Sequence, residues 1–184
     1  CNDHNLLVFT DEIYEYFVYD GKKHISPASL EIFKNKTITI SGFSKTFSIT
    51  GWRVGYCIVP EQYHEIIGHI NDLIYVCSPS PFQYAVAQGI NKIKDSFYTN
   101  IINSFTKKRN LLCETLTDIG LMPLIPDGAY YILADVSLVN GNSSKEKAMK
   151  ILNQTKVASV PGSAFYSSKT GDNLVRFCFA KEDY

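Results

Sequence analysis

The sequence predicts an α/β protein: part of a mixed, mainly parallel sheet with helices over residues 1–80, a long helix over 81–118, and a small α+β domain over 119–184. Three observations predict it. Short apolar runs that end abruptly in polar residues suit strands of a parallel sheet. Apolar residues at helical spacing dominate the middle of the chain. Beyond Gly120 the texture returns to short strands and turns around one charged helix.

The elements follow in order. "LLVFTDEIY" (residues 6–14) is an apolar, β-leaning run that meets charge at Asp11 and Glu12, and is expected to be a strand buried on both faces. "TITISGF" (37–43) is a second strand, and "WRVGYCIVP" (52–60) a third, stopped by its proline. Between the first two lie a turn signal, "YDGKKH", and "SPASLEIF", a short helix with Pro27 at its start. Over 61–76 the apolar residues Tyr63, Ile66, Ile67, Ile70 and Ile74 recur at helical spacing; "CSPSP" interrupts them. The helix from about Phe82 carries apolar positions as far as Leu116, long enough to bridge two domains. "LMPLIPDGAYYILADVS" reads as strands with turns, 144–154 as a charged helix, and "VASVP" and "NLVRFCFA" as two further strands. The chain opens on Cys1, and at its end Lys181, Glu182 and Asp183 read as the start of a helix. A fragment of a longer protein is the expectation.

Composition excludes several classes. Lys plus Arg and Asp plus Glu both number 18, so no strong field recommends nucleic acid or an anionic membrane as partner. No apolar run approaches the roughly 18 residues that span a bilayer. The five cysteines form no CxxC pair, which argues against a metal site or a disulfide framework and for a reducing, cytoplasmic setting.

"SGFSKTFSITGWRVGY" carries the chemistry. Lys45 follows a strand, and its ordinary fate would be a solvated surface position. The mostly apolar "TFSITGW" after it argues instead for partial desolvation, which favours the neutral amine that forms a Schiff base. Arg53, eight residues on, with Ser44 nearby, suits a phosphate dianion. Asp11 and Tyr14 stand at the carboxyl end of a strand, where open α/β sheets place ligands. Separately these signals are weak. Together, an amine, an anion anchor, a carboxylate and a phenol at strand ends are what pyridoxal 5′-phosphate (PLP) requires.

With "DEIYEYF", "SGFSKTFSITGWRVGY", "PDGAYYILADVS" and "VRFCFA" in that order, the whole chain resembles the C-terminal half of a fold-type I PLP enzyme of the class I aminotransferase family. "GAYYILADVS" and "VASVPGSAFYS" resemble most the branch with kynurenine, glutamine and methionine aminotransferases. The resemblance implies the second part of the PLP-transferase large domain, an interdomain helix and a small C-terminal domain. It implies that Lys45 is the Schiff-base lysine and proton shuttle, that Asp11 pairs with the pyridinium nitrogen, and that Tyr14 donates to the 3′-oxygen. Ser44 and Arg53 would hold the phosphate, and Arg176 would clamp the substrate α-carboxylate.

The implied activity is ping-pong amino transfer between an L-amino acid and a 2-oxo acid in a homodimer. A cysteine-conjugate β-lyase on the same site, or the PLP-binding effector domain of a transcription regulator, are the alternatives. Two departures stand out. Many relatives carry a serine three residues before the lysine, where this chain has Gly42 with Ser41 beside it, so the phosphate's hydroxyl donor stays open. "VCSPSP" lacks the arginine by which dedicated aspartate aminotransferases take a second carboxylate, so an acidic substrate is not assured.

Overall fold

The computed structural model describes residue 4 and residues 6–182. The chain divides into two units, Cys1–Tyr16 with Lys23–Tyr98 and Phe17–Lys22 with Thr99–Tyr184.

In the first unit, β1 (Val8–Asp11), β2 (Thr37–Gly42) and β3 (Gly55–Ile58) form one sheet in that order. β1 runs parallel to β2 and β3 antiparallel to it. The Thr-Ile alternation of β2 suits a central strand, and Thr37, Ile38, Thr39 and Ser41 are buried. β1 is not buried on both faces as expected: Phe9 is 64% exposed, and Ile40 of the central strand β2, on the same face, is exposed too, so this end of the face is uncovered among the described residues. The helix expected after Pro27 is only a 3-10 turn, Pro27–Ser29, ended by the extended backbone of Leu30. Helix α1 (Glu61–Ile74) follows Pro60, and α2 (Ser80–Lys92) has a proline in its first turn.

The pattern read as one helix over 81–118 is two helices. α2 stops where Ile93 turns extended (φ −72°, ψ 130°), and α3 (Asp95–Asp118) restarts two residues later. No Gly or Pro marks the break. Asp95 places negative charge in the first turn of α3, which favours a helix start there.

The second unit holds β4 (Met122–Leu124), β5 (Tyr131–Asp135), α4 (Ser144–Thr155), β6 (Val160–Pro161) and β7 (Leu174–Cys178). The sheet order is β4-β5-β7-β6, antiparallel throughout. Strict alternation along β5 and β7 turns Ile132, Ala134, Val175 and Phe177 into a core with Cys113 and Leu116 of α3 and Ala148 of α4. Each fully buried large apolar side chain contributes roughly 1.5–3 kcal/mol. α4 begins on a capping arrangement: Ser143 Oγ accepts the Glu146 N–H at 3.3 Å, and the Glu146 carboxylate accepts the Asn142 N–H at 2.8 Å. Lys181 and Glu182 are not helical, and Asp183 and Cys1 lie outside the described residues.

Residues 17–22 belong to the second unit, which the sequence did not signal. The Tyr19 N–H donates to Asp127 O at 3.0 Å and the Ala129 N–H to Phe17 O at 2.9 Å. The turn read in "YDGKKH" is present: Asp20 and Gly21 both have positive φ (57° and 71°), as a tight hairpin-type turn requires. Asp20 accepts a bidentate pair from the buried Arg109 at 2.7 and 2.8 Å, and the guanidinium lies 4.8 Å from the Tyr19 ring centroid.

The tightest packing in this unit lies between two loops. A Cβ at Gly162 would come within 2.4 Å of Gly171 O and 2.6 Å of Leu174 O, both backbone atoms that cannot swing aside. Gly162→Ala is therefore expected to destabilise the chain by about 1–3 kcal/mol. Urea unfolding checks this, and an unchanged midpoint would contradict it.

Candidate active site

Three turns of the first unit meet around a cavity of about 830 Å³ at the ends of β1 and β2. Asp11, Ser44, Lys45 and Arg53, four of the residues singled out in the sequence, line it. The topology explains the convergence. β2 and β3 pair Gly42 with Gly55, so the intervening loop leaves and re-enters the sheet at one point. Residues eight apart along the loop thus return to one cavity.

Gly42 has a packing reason. A Cβ there would meet Gly55 Cα at 2.9 Å and Val54 O at 3.1 Å, so the serine common in relatives would not fit without parting the strands. Ser41 lines the cavity but is buried, with Glu12 O at 3.3 Å and Glu15 Oε1 at 3.5 Å as acceptors for its hydroxyl. The half-buried Ser44, and Thr50, which the sequence reading missed, are the other loop hydroxyls on the lining.

Arg53 sits in the left-handed region (φ 57°, ψ 42°), a conformation that costs a non-glycine residue about 1 kcal/mol or more. Its surroundings hold it there. Arg53 Nη1 donates to Thr50 O at 2.9 Å, and Thr50 Oγ1 donates to Ser44 O at 3.1 Å. Arg53 O accepts from Ser78 Oγ at 2.8 Å and Tyr75 OH at 3.3 Å, while Trp52 stacks on Phe82 at 4.8 Å. Among the described residues no carboxylate pairs with the guanidinium. Lys45 is half-buried in the turn after β2, next to the buried Thr46. Two cations against one carboxylate make the lining attractive to an anion that also offers a partner for an amine.

Asp11 ends β1, and its Oδ1 accepts the Ile13 N–H at 3.2 Å. Tyr14 is half-buried in the turn after β1 and is not among the lining residues. Arg176 lies in the second unit, on β7. Beside Asp11, Glu12 is buried and satisfied by three side chains: Thr10 Oγ1 at 2.8 Å, Ser26 Oγ at 2.7 Å and His24 Nε2 at 2.7 Å. Burial alone would raise its pKa, but the hydrogen bonds outweigh this and hold the carboxyl below its ordinary value. Residue order did not reveal the His24 and Ser26 partners of Glu12, because both sit in a loop with no periodic pattern. Among the described residues no cluster of three or more His, Cys, Asp or Glu could hold a metal ion, and no helix is long and apolar enough to cross a membrane.

An α/β unit that gathers an amine, a carboxylate and a guanidinium at its strand ends suits an anionic ligand, and comparison with known proteins narrows the class. The chain belongs to the family described as aminotransferase class I and II, matched over residues 1–183. It is 37% identical to aromatic-amino-acid aminotransferase 2 of Thermococcus litoralis, over 97% of this chain and 45% of that protein. It is 34% identical to human kynurenine–oxoglutarate transaminase 3, over 100% of this chain and 44% of the relative. Among solved structures, N-succinyldiaminopimelate aminotransferase from Mycobacterium tuberculosis superposes with a TM-score of 0.92 at 32% identity, covering 98% of this chain and 47% of the other. The chain thus spans less than half the length of these relatives.

The Glu12 cluster ties the segment at residues 24–26 to the end of β1, next to Asp11. Glu12→Gln leaves these donors poorly matched and is expected to destabilise the chain by about 1–3 kcal/mol at pH 7. A carboxylate whose folded pKa is lowered stabilises above its unfolded pKa, near the ordinary 4.5, and loses that stabilisation as pH falls through the folded value. The gap between wild type and Glu12→Gln should therefore hold from pH 7 to about 5 and close below it. Urea midpoints at stepped pH values measure this, and a gap that does not narrow as pH falls below about 4.5 would contradict it.

Proposed function

We propose that the full-length protein is a PLP-dependent aminotransferase that moves an amino group between an L-amino acid and a 2-oxo acid in a ping-pong cycle. The observation that carries this is the convergence of Asp11, Ser44, Lys45 and Arg53 on one cavity in a chain of this family. The donor set fits the cofactor: an amine for an aldehyde, a guanidinium and hydroxyl for a phosphate, and a carboxylate for a protonated ring nitrogen. When bound, PLP supplies the carbonyl that accepts the amino group and a ring that takes up electrons released at the substrate α-carbon.

The chain's own residues supply the rest. Arg53, fixed by its carbonyl contacts to Ser78 and Tyr75, would offer the phosphate a guanidinium that no carboxylate among the described residues pairs with, and Ser44 would add a hydroxyl. Asp11 Oδ1 accepts the Ile13 N–H, which holds the carboxylate at the strand end, where it would pair with a cationic ring nitrogen. Lys45 Nζ anchors the cofactor and removes the substrate α-proton. Tyr14 is assigned the 3′-oxygen on the strength of the family pattern. Arg176 takes the substrate α-carboxylate, its fork matching two oxygens at once. The names of the relatives put aromatic amino acids and kynurenine first among donors to try. A homodimer and a cytoplasmic setting complete the reading. Its support is the family and the unpaired thiols of Cys57, Cys77, Cys113 and Cys178.

The test is the full-length protein incubated with PLP and a panel of amino acids against 2-oxo acids. Amino transfer is expected, and borohydride reduction with peptide mapping should place the pyridoxyl mass on Lys45. Lys45→Ala should lower kcat by three or more orders of magnitude. A label on Lys22 or Lys36, or β-elimination without transfer, would overturn the assignment.

A further inference from the structure

Arg176 stands on the face of the second unit's sheet that points away from the core. Its neighbours Val175 and Phe177 are buried, while Arg176 itself is only half-buried. Leu133 of β5 is directly across from it, and Tyr131, two residues along β5, shares the same face by alternation. The guanidinium carbon lies 4.8 Å from the Tyr131 ring centroid and 4.7 Å from that of Phe165, which closes the 3-10 turn Gly162–Ala164. The one cation is thus within reach of two ring faces, one from β5 and one from the turn before Phe165. Among the described residues no carboxylate pairs with it.

We propose that Tyr131 and Phe165 form an aromatic clamp that positions Arg176 for a carboxylate, making them positioning residues for substrate capture. A guanidinium attracted to a ring face uses its π surface and leaves its N–H groups available. Binding then meets a donor fork whose side-chain freedom is already restricted, so less ordering is lost when the carboxylate arrives. A carboxylate partner within the protein would orient the arginine equally well but would compete with the substrate's own. Two rings orient it without occupying its hydrogen bonds. The clamp is built by the fold: Tyr131 is set by the β5–β7 register, and Phe165 by a turn whose amide hydrogen bond, Phe165 N–H to Gly162 O at 2.8 Å, holds it in place.

This inference rests on the reading of Arg176 as the carboxylate group's partner, and the experiment separates the two. In the full-length holoenzyme, KM and kcat are measured for the best donor of the panel, together with the dissociation constant of 3-phenylpropionate, a carboxylate with no amine to react. Tyr131→Leu and Phe165→Leu keep apolar bulk without a π face; Tyr131→Phe and Phe165→Tyr keep the ring. The Leu variants should raise KM and the dissociation constant about tenfold with kcat within about twofold. The ring-keeping variants should match wild type, and Arg176→Gln should weaken both readouts about a hundredfold. Unchanged binding in both Leu variants would overturn the clamp while leaving Arg176 in its role. Unchanged binding in Arg176→Gln would overturn the role itself. If a Leu variant fails to fold, as judged by melting temperature and cofactor absorbance, the Met variant at that position takes its place under the same criteria.

Discussion

The first unit depends on how closely β2 and β3 approach at Gly42 and Gly55. Two glycines facing across a ladder let the backbones meet where any side chain would hold them apart. The loop between them is consequently a closed excursion whose two arms share one mouth. Ser44 and Lys45 on the outgoing arm, and Arg53 on the returning one, need no long-range folding event to meet once the ladder forms. The close approach also decides which hydroxyls can serve an anion, because it removes the side chain that related proteins use at Gly42 and leaves Ser44 and Thr50 on the lining.

That loop stores strain and spends hydrogen bonds to keep it. Arg53 occupies a backbone conformation that L residues avoid, and its carbonyl is held by two hydroxyls from the connection between α1 and α2. A guanidinium on the cavity lining is thus carried by a backbone held in a disfavoured conformation. Rigid placement lowers the ordering cost of binding, and the surrounding packing bears the conformational penalty. The aromatic surroundings of Arg176 follow the same logic with a different interaction, restricting a cation without satisfying it.

Much of this was legible from residue order. Strand positions follow from apolar runs bounded by polar residues, and β2 and β3 fall where "TITISGF" and "WRVGYCIVP" put them. α1 and α4 follow from periodicity. That Asp11, Ser44, Lys45 and Arg53 share one cavity was legible because all four stand at strand ends or in the loop between two strands that the pattern places. The break at Ile93 was not, since no helix breaker stands there and the cost of interrupting a helix is met by packing that a one-dimensional pattern does not record. The exposure of Phe9 was missed because an apolar run does not say what will cover its face of the sheet. The Glu12 cluster and the rings around Arg176 were missed because side-chain contacts across loops leave no periodic trace in the sequence.

Residues 17–22 have a consequence for how the chain is assembled. They leave the first unit, join the second and return within six residues, and Tyr19 finds its backbone partner at Asp127. During synthesis these residues emerge long before their partners exist. The buried Tyr19 ring and the Asp20 carboxylate must wait through some ninety further residues for Arg109. Contacts of such sequence separation slow the search for the native state and leave apolar surface open in the meantime. The segment can therefore pack only after α3 and the residues around Asp127 have been made.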